Sequence, residues 1–104
     1  MAKFVLAYKG GAMGETPEEQ QKQMEAWMNW FGALGDSVVD GGSPFAASAS
    51  INSSGAVSDG GASGLSGYSI IAADSLGEAT GKAKGCPVLT SGGNVEVYEV
   101  QPMG

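Results

Sequence analysis

GYSIIAADSLGEATGKAKGCPVLTSGGNVEVYEV, Gly67 to Val100, reads as strand, helix, strand. GYSIIAAD, Gly67 to Asp74, is an apolar run rich in β-formers and short enough for a buried strand. Ser75 then offers an N-cap or first helical residue. Leu76, Ala79 and Ala83 recur at helical spacing and are expected to face inward, and Gly85 before Pro87 is a stop signal. Gly77 and Gly81 weaken this helix by roughly 1 kcal/mol each relative to alanine. GNVEVYEV, Gly93 to Val100, alternates as a final strand.

The N-terminal half repeats that order. AKFVLAY, Ala2 to Tyr8, is a strand ended by Gly10 and Gly11. In ETPEEQQKQMEAWMNWFGALG, Thr16 is an N-cap, Pro17 suits the first helical position and Glu19 completes a capping box. Met24, Trp27, Met28, Phe31 and Leu34 share one helical face, with Trp30 at its edge, while Glu18, Glu25 and Asn29 share the other. Gly35 is the stop. Ser37 to Asp40 is a short strand running into a Gly-Gly-Ser-Pro bend. Ser48 to Ser53 and Ala56 to Ser58 read as a small hairpin around Ser54-Gly55. With that hairpin set aside, the order is βαββαβ. The expected fold class is therefore α+β: a ferredoxin-like antiparallel sheet with both helices on one face and an extra small hairpin. One domain, 1–100, is followed by a tail, 101–104. The other sheet face is left uncovered, with Val5, Ala7, Ile71, Ala73 and Val97 assigned to it and Phe4, Leu6, Ile70 and Val95 to the helix side. A sheet apolar on both faces calls for a second cover, and a second copy of the same sheet would supply it.

Composition narrows the function classes. The chain has 104 residues, a net charge of −6, five lysines and no arginine. That balance lacks the cationic footprint of a nucleic-acid binder and disfavours anionic membrane surfaces. No apolar run reaches the roughly 20 residues of a membrane span, and the N-terminus reads as a strand rather than a signal peptide. The single cysteine, Cys86, permits no internal disulfide, so a cytoplasmic setting is expected. There is no histidine, which excludes Ser-His-Asp and Cys-His catalysis as usually built and removes the commonest metal ligand. No metal and no cofactor is expected, and the glycine-rich runs match neither phosphate-loop pattern. Acid–base chemistry would rest on carboxylates, lysine or tyrosine.

Two aspartates are the catalytic candidates. Asp59 precedes Gly60 and Gly61, and Asp-Gly is one of the strongest turn signals, so an Asx-turn is the expected reading and a pocket base the functional one. Asp40 ends its strand and could enter a cavity, or bond the amides of Gly41 or Gly42. Two carboxylates sharing a dry pocket would raise one pKa and permit proton transfer. Tyr8, Lys9, Ser43 and Tyr68 are the ligand-binding candidates, lying on or beside strands where a polar tip could reach a pocket. Trp27 reads as core and Cys86 as a structural thiol.

The segments KFVLAYKGG, TPEEQQKQMEAWMNWFGALGDSVVDGG and GYSIIAADSLGEATGKAKGCPVLTSGGNVEVYEV together resemble the YCII-related (YciI-like) proteins, including the branch named for a DGPF motif. The resemblance implies a ferredoxin-like domain that pairs sheet to sheet as a dimeric α/β barrel. Asp59-Gly60 lies where that branch carries Asp-Gly-Pro-Phe, but Gly61 and Ala62 follow here. The His-Asp pair attributed to some members has no counterpart in a chain without histidine. The expectation is thus a homodimer and a non-catalytic module that binds a small organic molecule or simply dimerises. The alternative is a small cofactor-free lyase or isomerase using Asp40 or Asp59 between the sheets.

Overall fold

A computed structural model describes residues 1–12 and 14–102. Among the described residues the chain forms six strands and two helices, with four strands in succession between the helices. They are β1 (Ala2–Lys9), α1 (Pro17–Leu34), β2 (Val38–Pro44), β3 (Ala49–Ile51), β4 (Val57–Asp59), β5 (Leu65–Ala73), α2 (Leu76–Ala83) and β6 (Asn94–Glu99). The class is α+β, as the sequence predicts. A four-stranded antiparallel sheet has the order β2-β5-β1-β6, and β3 and β4 pair as a separate ribbon. Of the expected tail, Gln101 and Pro102 are exposed and irregular, and 103–104 lie outside the described residues.

Local chemistry sets the helix starts. Thr16 Oγ1 accepts from the amide of Glu19 at 3.2 Å, and Glu19 accepts from the amide of Glu15 at 2.8 Å. Ser75 does the same for α2, accepting from the Glu78 amide at 3.1 Å. These caps satisfy amides that have no partner within the first turn.

The core lies between the sheet and the helices. Phe4, Leu6 and Tyr8 of β1 and Ile71 and Ala73 of β5 are buried with Trp30, Ala79, Ala83, Cys86 and Val88. Val95 and Val97 pack against them. Register explains the set: Phe4 faces Ile71 across the ladder, and Leu6 faces Val97, so all share one face. This corrects the face assignment from sequence. Ile71, Ala73 and Val97 lie under the helices, while Ile70 pairs with Val5 on the open side. In a run apolar at Ile70, Ile71, Ala72 and Ala73, composition does not mark the phase; only pairing to β1 fixes it.

Three more expectations are corrected. Met24 and Met28 are 65% and 66% exposed, and the buried stripe of α1 is carried by Trp27, Trp30, Phe31 and Leu34 instead. Trp30 is the buried residue of α1, its indole N–H donating to the Lys82 carbonyl at 3.1 Å, which ties α1 to the end of α2. Leu76 is half-exposed, whereas Ala79 and Ala83 are buried as expected. Finally, the Gly-Gly-Ser-Pro segment does not end β2. The strand runs through it to Pro44, with irregular pairing between Val38 and Asp40 and again between Asp40 and Ser43.

The open face carries Val5, Tyr68, Ile70 and Ala72, each half-buried, with Ala7 buried among them. Phe45 stacks on Tyr68 at 5.8 Å between ring centroids. The molecule is a slab of 44 × 43 × 18 Å.

Candidate functional site

The second irregularity in β2 builds the site. Gly42 has φ +76°, and a Cβ there would lie 1.6 Å from the Tyr68 carbonyl oxygen, so only glycine fits. Its amide donates to Asp40 Oδ1 at 2.8 Å, closing a tight local loop. The neighbouring Gly41 carbonyl is thereby turned to meet Ser69, whose hydroxyl donates to it at 2.7 Å. Ser69 is fully buried and accepts in turn from the Tyr8 hydroxyl at 2.7 Å. A relay from Tyr8 through Ser69 to the β2 backbone therefore crosses the sheet beneath α1. Ser69 is a polar residue amid an apolar strand because both its hydrogen-bonding functions are used.

Above this relay α1 stands away from the sheet, its packing made chiefly to the 3-10 turn Pro87–Ser91 and to β2 with the turn before it. The space left is a cleft of about 860 Å³ between α1, the ends of β1 and β5, the β2 loop and that turn. Trp27 and Phe31 form its helix wall. Trp27 meets the Tyr8 ring edge-on at 5.1 Å and the Phe31 ring at 5.9 Å, an aromatic set that fixes the wall's shape. Gln23 closes the mouth: it accepts from the Gly14 amide at 2.9 Å and donates to the Ala12 carbonyl at 2.8 Å, holding the loop after β1 against the helix.

The titratable groups nearest the relay are neutral. Burial raises the Tyr8 phenol far above its ordinary value, outweighing the bond to Ser69. Burial likewise pushes the neighbouring Cys86 thiol up to about 11. Neither supplies a nucleophile near neutral pH. Among the described residues, no three Cys, Asp or Glu side chains gather where a metal ion could be held.

Of the residues singled out from sequence, Tyr8, Ser43 and Tyr68 line the cleft and Lys9 does not. Tyr68 reaches it from the strand, since its ring lies with Phe45 on the opposite face from Ser69. Asp40 is exposed and occupied with the Gly42 amide. Asp59 is exposed at the end of β4, opposite Ala49 in the ribbon. The two aspartates thus belong to different sheets and neither lines the cleft. Sequence reading missed Ser69, Gln23 and Phe31 as site residues and took Trp27 for core. Gln23 at one turn before Trp27 on the inward stripe, and a serine inside β5, were the available signals. Among the described residues no helix is long and apolar enough to cross a membrane. Comparison with family models, curated proteins and solved structures returned no match.

Proposed function

We propose that this chain is a ferredoxin-like domain of YCII-related type that works as a homodimer and holds a small organic molecule without transforming it. The observation that carries the binding half is the cleft. Its volume of about 860 Å³ falls within the roughly 300–1,000 Å³ of small-molecule sites. Its wall is aromatic, and the relay of Tyr8 and Ser69 braces its floor. The strand order β2-β5-β1-β6 with two crossover helices is that expected of a ferredoxin-like domain.

The homodimer rests on the uncovered sheet face and the shape. A compact chain of this length has a radius of gyration of about 13 Å, against 15.1 Å here. A second copy laid sheet to sheet over the half-buried Val5, Tyr68, Ile70 and Ala72 would double the thin dimension and hide that apolar face. A catalytic role has less behind it, since Asp40 and Asp59 are solvated and apart, and Tyr8 and Cys86 stay protonated. We read the setting as cytoplasmic from the single buried cysteine.

Light scattering at micromolar concentration tests the dimer, with twice the 10.4 kDa chain mass expected and the single mass contradicting it. A ligand-observed NMR screen of small aromatic compounds tests binding. Hits displaced by one another are expected, and a screen without hits would remove the binding half.

A further inference from the structure

We infer that the cleft under α1 takes a neutral aromatic compound bearing a hydroxyl group, in preference to an anion or a cation. This rests on the reading that the cleft binds a small molecule. Two observations carry it. The first is charge: among the described residues Lys22 is the one charged residue lining the cleft, and it is exposed on the helix. Among the described residues no carboxylate lines the cleft to meet a cation, and no buried cation meets an anion. A charged ligand drawn against Trp27 and Phe31 would lose its hydration with nothing to replace it.

The second is the direction of the hydroxyl groups. Ser66 donates its proton to the carbonyls of Tyr8 and Gly10 at 3.2 and 3.0 Å. Thr90 donates to the Pro87 carbonyl at 2.8 Å, and Ser91 to the Val88 carbonyl at 3.1 Å. All three line the cleft. With their protons held by the backbone, these oxygens present lone pairs. These three positions accept hydrogen bonds from a ligand hydroxyl and disfavour the oxygens of a carboxylate or phosphate beside them. The flat aromatic walls select a planar ring system, since an edge or face of Trp27 and Phe31 is matched best by another ring.

The test is calorimetric titration of the full chain at neutral pH with four probes sharing one ring system: 2-naphthol, 2-methoxynaphthalene, 2-naphthoate and 2-naphthylmethylammonium. The expected result is that 2-naphthol binds at least ~10-fold tighter than either ion and several-fold tighter than the methyl ether, which has lost its donor. An ion that binds as tightly as 2-naphthol overturns the preference while leaving a binding cleft in place. A methyl ether that binds as tightly as 2-naphthol overturns the role of the serine and threonine oxygens. If none of the four binds, the binding reading falls and this inference falls with it.

Discussion

Replacing Ser69 by alanine leaves two groups without their partner at once. The Tyr8 hydroxyl loses its acceptor at 2.7 Å and the Gly41 carbonyl loses its donor at 2.7 Å. Tyr8 is 6% exposed, so water has poor access to its orphaned hydroxyl, whereas Gly41 is exposed and water can take the place of the lost donor. A buried unsatisfied hydroxyl costs about 1–3 kcal/mol and the lost bond to the solvated Gly41 carbonyl about 1 kcal/mol, which places Ser69→Ala at roughly 2–4 kcal/mol. Tyr8→Phe is milder, about 1 kcal/mol, because Ser69 keeps its bond to Gly41 and loses only an incoming one. In the double variant no phenol remains to be orphaned. Its stability is therefore expected to be no lower than that of Ser69→Ala alone, with a coupling of about 1–2 kcal/mol between the two sites. Urea unfolding followed by tryptophan fluorescence reads all three values, since Trp27 packs on the Tyr8 ring. Additive effects within about 0.5 kcal/mol, or Tyr8→Phe costing more than Ser69→Ala, would refute the relay.

Other changes separate backbone from side chain. Gly42→Ala places a Cβ 1.6 Å from the Tyr68 oxygen at positive φ and should cost more than about 2 kcal/mol, whereas Gly41→Ala meets open space and should cost under about 1 kcal/mol. Equal melting temperatures for the two would contradict the account of β2. Thr16→Ala removes the cap on the Glu19 amide and should cost about 1 kcal/mol in thermal unfolding. Stability should be full below pH 9 and fall as pH rises between 9 and about 11, because burial holds Cys86 neutral when folded while its unfolded value is 9.0. The raised Tyr8 acts in the same direction. Urea midpoints that stay level from pH 8 to 11 would contradict this.

The strands and helices were legible because their signals are local. Thr16 and Ser75 announce helix starts with their own side chains, and the β-rich runs at Phe4 and Ile70 need only composition. Which side of the sheet each residue faces was not legible in β5, where four apolar residues in succession hide the period. Only the ladder to β1 settles it. The glycines of β2 carry opposite possibilities, a turn or an irregular strand, and a long-range contact with the Tyr68 carbonyl decides between them. Asp40 and Asp59 drew attention because carboxylates carry chemistry wherever they occur. Their exposure depends on β2 and the ribbon, which no motif encodes. The cleft itself arises from how far α1 stands from the sheet. The aromatics Trp27 and Phe31 were visible on their stripe, but a wall of a cavity and a wall of a core have the same periodicity.

The most direct test of the central claim uses the two tryptophans, which give two indole N–H signals in a ¹⁵N-labelled chain. Trp27 lines the cleft, and Trp30 is buried with its indole bonded to the Lys82 carbonyl. Titration with 2-naphthol is predicted to shift the Trp27 indole signal progressively to saturation while the Trp30 signal moves far less. Saturable binding that leaves Trp27 in place and shifts signals of Val5, Ile70 or Ala72 on the open sheet face would contradict it.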